Sequence, residues 1–70
     1  MTYSEAKAHA RRRARETGTV WYVLAIGGDF QTCEALVRFE IYPDTRPLFA
    51  VDDVGVCEEW DGASYVRSGE

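Results

Sequence analysis

The chain has 70 residues, a formal net charge of −4, a hydrophobic share of 46% and an aromatic share of 13%. That is one domain, near the lower size at which a core holds without staples, and the apolar content excludes a disordered chain. No apolar run approaches the roughly 18 residues that a membrane helix needs, and the pair Cys33 and Cys57 fits neither a disulfide framework nor a zinc spacing.

The first predicted element is a helix. Thr2-Tyr3-Ser4-Glu5 has the form of a capping box, in which the Thr2 hydroxyl and the Glu5 carboxylate each satisfy the other's backbone amide. The sequence tolerates helix to about Glu16, and Thr17-Gly18 ends it, glycine being the natural left-handed residue past the last turn. Tyr3, Ala6, Ala10, Ala14 and Thr17 recur at spacings of three and four. They make a narrow, smooth stripe that lets a sheet carrying bulky side chains come close. Lys7, Arg11 and Arg15 line another flank with Arg12 beside them, cations placed to suit the C-terminal half of the helix dipole. The one histidine, His9, reads as a neutral imidazole on the solvated side. TYSEAKAHARRR lacks the apolar segment of a signal peptide, so the expected compartment is the cytoplasm.

Val20–Ile26 (VWYVLAI) is the longest apolar run, bounded by glycines and rich in β-branched and aromatic residues. It predicts a central strand, with Val20, Tyr22, Leu24 and Ile26 on one face and Trp21, Val23 and Ala25 on the other. Gly27-Gly28-Asp29 marks a turn, and Phe30–Cys33 a short returning strand. In Glu34–Tyr42, Val37, Phe39 and Ile41 alternate with Arg38, Glu40 and Tyr42. This is the period of a half-buried strand, and strand is the expectation, with a short helix capped by Thr32 as the alternative. Pro43-Asp44-Thr45 turns the chain, Leu48–Asp52 and Val56–Trp60 read as strands, and Asp61-Gly62 signals a hairpin returning through Ala63–Arg67. The expected architecture is α+β over residues 1–70: one N-terminal helix packed on a four- or five-stranded, mostly antiparallel sheet.

Charge is divided along the chain. Residues 1–28 carry five basic side chains against two acidic ones, a net of +3, and residues 29–70 carry three against ten, a net of −7. Between positions 52 and 61 half the residues are acidic: Asp52, Asp53, Glu58, Glu59 and Asp61, with Trp60 among them. Carboxylates beside an aromatic anchor suit docking on a basic protein surface. No nucleophile–base grouping, phosphate loop or calcium loop accompanies them, so neither enzyme activity, nor a cofactor, nor a metal is expected.

The helix YSEAKAHARRRARETG running into TVWYVLAI, followed by an acidic, aromatic-rich sheet, resembles the small acidic α/β proteins of bacteriophages and mobile elements, anti-CRISPR inhibitors among them. That resemblance implies a non-enzymatic inhibitor that occupies a surface of a nucleic-acid-handling complex, with a CRISPR effector subunit as a candidate partner. It transfers no functional residue. Two other readings stand beside it. One is a nucleic-acid-binding module using Lys7, Arg11, Arg12 and Arg15, which the −7 elsewhere disfavours. The other is a homodimeric adaptor joined through Trp21 and Val23, on the expectation that one helix covers only one side of the sheet.

Overall fold

The structure, a computed structural model, describes residues 1–69. It has helix α1 (Tyr3–Thr17), strands β1 (Trp21–Ile26) and β2 (Asp29–Glu34), helix α2 (Ala35–Ile41), and strands β3 (Phe49–Val51), β4 (Cys57–Trp60) and β5 (Tyr65–Ser68). The strands form one sheet in the order β2-β1-β3-β4-β5, antiparallel at every pairing. The α+β architecture expected from the sequence is the one observed, with α2 as an addition.

Each boundary of α1 has a local cause. The Thr2 hydroxyl accepts from the Glu5 amide at 3.1 Å and the Glu5 carboxylate accepts from the Thr2 amide at 2.8 Å, so the capping box is complete. Gly18 closes the helix at φ +71°, where a side chain would strain the backbone, and its amide bonds the Ala14 carbonyl. At the β1–β2 hairpin, Gly27 and Gly28 both have positive φ, as the tight two-residue turn that matches strand twist requires.

Register decides which side chains share a face. Trp21, Val51, Cys57 and Ser68 align across four strands, and so do Val23, Phe49, Glu59 and Val66. This is the face α1 covers: Ala6, Ala10 and Ala14 are wholly buried and pack with Val23, Phe49, Val51 and Cys57, with Tyr3, Trp21 and Phe30 at the margin. The alanine stripe lets the aromatic rings fill the interlayer space, and each fully buried large side chain contributes about 1.5–3 kcal/mol. The opposite face carries Tyr22, Ala50, Glu58 and Arg67 in one row, with Trp60 beside Tyr65.

Three expectations are corrected. Glu34–Tyr42 is not a strand: β2 runs on through Glu34 opposite Trp21, and the last backbone bond of that edge goes from the Ala35 amide to the Val20 carbonyl at 3.2 Å. Just before Val20 the chain is already the α1 cap at Gly18, so a longer extended segment would soon run out of partner. The chain folds into α2 instead, with Glu34 rather than Thr32 at its N-cap. Trp21 and Val23 do not need a second subunit, because they lie under α1, and a dimer built on the fully buried Val23 is ruled out. His9 is half-buried, with Nδ1 2.7 Å from the Thr32 hydroxyl and its ring edge-on to Trp21. The cysteines are both free and buried, on opposite faces of the sheet.

Candidate functional site

The six residues of the acidic stretch do not share one surface. Glu58 and Glu59 are adjacent on β4, so their side chains leave opposite faces of the sheet. Glu59 turns under α1, where its carboxylate accepts from the Tyr3 hydroxyl at 2.8 Å and pairs with Lys7 at 3.2 Å. Asp52 sits in the β3–β4 turn, where one oxygen accepts from the amides of Val54 and Val56 at 3.0 and 2.9 Å. Asp53 is exposed in the same turn. Asp61 is at the far end of β4, accepting from Ala63 and Ser64 at 2.8 Å each, and these bonds hold its carboxyl below the usual aspartate range. Glu58 and Trp60 share the face away from α1, and Glu59, Trp60 and Asp61 together line a separate depression with Val66 and Ser68 of β5.

The Glu59 site joins helix to sheet. The Tyr3 hydrogen bond, followed by Lys7, holds the Glu59 carboxyl below its ordinary value, while burial and then the same carboxylate push the Tyr3 phenol well up. A carboxyl depressed by folding stabilises the native state above its unfolded value and loses that contribution as pH falls through the lower native one. The thermal midpoint is therefore expected to fall as pH drops below about 4.5. Other carboxyls add to that slope, and Lys7 keeps part of the Glu59 share, but that share should be smaller in Tyr3→Phe. A pH series of melting curves on both proteins checks this; equal acid sensitivity would separate Tyr3 from the effect. The carboxylate is partly exposed, so solvent screening keeps the contribution modest.

The face away from α1 has a different character. α2 packs there on β1 and β2, where Leu24 and Cys33 are buried, and leaves β3–β5 open. Ala35, Val37 and Arg38 of this helix are half-buried, whereas Leu36, Phe39 and Ile41 are 64%, 59% and 63% exposed. Between α2 and the sheet runs a depression of about 300 Å³ lined by Tyr22, Arg38, Phe39, Pro47, Ala50, Glu58 and Tyr65. It continues into a second one past Pro43, Asp44, Thr45 and Arg46.

Aromatic contacts and one backbone tie fix the walls of this groove. The Tyr65 hydroxyl donates to the Pro47 carbonyl at 2.8 Å, and the Tyr65 ring lies 5.0 Å from that of Trp60. The Arg46 guanidinium stacks over Trp60 at 4.3 Å, and Phe39 meets Tyr22 edge-on at 6.5 Å. An arrangement of this kind holds rigid aromatic surface in place before any partner arrives, which lowers the ordering cost of association.

Sequence reasoning named Glu58 and Trp60 and missed Tyr22, Arg38, Phe39 and Pro47 as parts of one surface. The signal available was Leu36 and Phe39 three apart, which on a helix share a side. On the other face of the molecule, Arg11, Arg12 and Arg15 of the basic set are exposed, whereas Lys7 is engaged by Glu59. Among the described residues no group of three metal-ligating side chains occurs, and no helix is long and apolar enough to cross a membrane. No family model, curated protein or solved structure matches this chain.

Proposed function

We propose that this protein works by binding another protein, without chemistry of its own, through the open sheet face and the outer side of α2. The observation that carries this reading is α2 itself. It covers Leu24 and Cys33 on one side yet leaves Leu36, Phe39 and Ile41 more than half in solvent beside an open sheet face, and large apolar side chains exposed next to such a face mark an association surface. Trp60, Tyr65 and the flanking arginines supply the residue types that anchor interfaces. Following the resemblance to anti-CRISPR inhibitors, the action proposed is inhibition of a nucleic-acid-handling complex, by occupying one of its surfaces. The proposed docking site moves from the acidic stretch to the open face, keeping Glu58 and Trp60.

The test compares two sets of variants in capture of partners from host lysate by the immobilised chain. Phe39→Glu is expected to lower recovery of the captured partner at least tenfold. Reversal of Asp52 and Asp53 to lysine should change it less than twofold, since both lie in a turn away from the groove. If the reversals abolish capture and Phe39→Glu does not, the docking site is the acidic stretch.

The three exposed arginines of α1 favour a second reading, a nucleic-acid contact. A band shift with DNA or RNA alone at low salt, lost in a triple Arg→Gln variant at 11, 12 and 15, would support it.

A further inference from the structure

The groove holds a guanidinium that none of the described carboxylates reaches within ion-pair distance. Arg38 reaches inward from α2 and is half-buried, its guanidinium carbon 4.6 Å from the Phe39 ring centroid and 5.4 Å from that of Tyr22. Its one hydrogen bond runs from Nη2 to the Thr45 carbonyl at 3.5 Å, and its Nε is buried without a partner. Among the described residues no carboxylate lies within ion-pair distance of it. This occurs in a chain with twelve acidic residues against eight basic ones. A charge withdrawn from water is costly unless it is paired, and the planar guanidinium fork matches a carboxylate.

We infer that Arg38 is the anchor for a carboxylate on the partner, and that the docking segment is an extended peptide with an acidic residue beside apolar ones. This rests on the open face being the docking surface. Three features select the occupant. The depression of about 300 Å³ is at the small end for a cofactor site and takes a few side chains. Its walls, Tyr22, Phe39, Tyr65 and Pro47, suit aliphatic or proline side chains on either side of the acid. A cationic ligand would have to displace Arg38 from the rings it already faces. Phosphate is the poorer anion: Glu58 and Asp44 on the same rim repel any anion, and they repel the more highly charged phosphate more than a single carboxylate, whose one charge matches one guanidinium.

The test is a titration of the ¹⁵N-labelled full chain with the capped peptide acetyl-Leu-Glu-Pro-Leu-amide, its glutamine counterpart, and a ten-nucleotide single-stranded DNA. The glutamate peptide should give saturable shifts at the Arg38 Nε–H and at the amides of Ala50 and Tyr65. The glutamine peptide should bind at least tenfold more weakly, and Arg38→Gln should remove that difference while its own thermal midpoint shows it folded. Equal binding of the two peptides would overturn carboxylate capture and leave the docking face standing. Absence of saturable shifts in the groove with the glutamate peptide at millimolar concentration would overturn the proposal. So would stronger shifts at Arg38 with the oligonucleotide. Failure of the docking face itself reads out separately, in the Phe39→Glu capture experiment.

Discussion

Phe49→Ala is expected to remove about half of the folding free energy, about 3–5 kcal/mol. Phe49 is 1% exposed at the centre of the layer between α1 and the sheet, flanked by Val23, Val51 and the three buried alanines. Truncating a buried phenylalanine removes the transfer term and leaves a cavity, a loss of about 3–5 kcal/mol. A domain of this length holds about 0.05–0.15 kcal/mol per residue, on the order of 4–10 kcal/mol in all. Loss and total are thus of the same order. The Lys7 ammonium and the Arg11 guanidinium also lie over this ring, at 5.7 and 5.0 Å, and lose their apolar platform with it. Urea unfolding followed by tryptophan fluorescence measures the effect. A loss below about 1 kcal/mol would mean that Phe49 is not the centre of the core.

The second large effect is the opposite error, too much volume. Ala10 is wholly buried in the middle of the α1 stripe, in the layer packed against Val23, Phe49 and Val51. Ala10→Leu keeps helix propensity nearly unchanged but drives three additional carbons into that contact, at a cost of about 1–3 kcal/mol. Ala8→Leu on the exposed side of the same helix is the control, and should change stability by less than about 0.5 kcal/mol. Comparison of the two denaturation midpoints separates packing from propensity. Equal midpoints would mean that α1 does not depend on close approach.

The sequence made α1 legible because every cue there is local. The capping box, Gly18 and the spacing of the alanines act within one or two turns, and nothing distant opposes them. The β1–β2 hairpin was legible for the same reason, through Gly27-Gly28. The segment 34–42 was not. Its alternation of Val37, Phe39 and Ile41 with polar residues copies a strand, and what decides against a strand is that the neighbouring segment pairs no further than Val20, behind which the chain is the α1 cap at Gly18. That is a fact about register between two elements, which the segment itself does not encode.

The surface was legible in composition, and in arrangement only as far as strand alternation sets Glu58 and Glu59 on opposite faces. Five carboxylates within ten residues suggest one acidic patch. Strand alternation then sends Glu58 and Glu59 to different faces, and two turns at opposite ends of β4 take Asp52 and Asp61 as acceptors for their own amides. The net charge persists, and with it long-range steering and solubility, but it is spread round the perimeter. The groove required tertiary structure to be seen, because Tyr22, Arg38, Pro47 and Tyr65 come from four separate segments. Arg38 was the least visible of these, since an arginine in a mixed helix ordinarily points to water.

Amide hydrogen exchange of the full chain, free and bound to the captured partner, tests the docking surface most directly. Binding through the open face predicts added protection over α2, the loop at 43–48 and β5, with the exposed side of α1 unchanged. Protection concentrated on the α1 amides around Arg11, Arg12 and Arg15, with α2 and β5 exchanging as in the free protein, would contradict it.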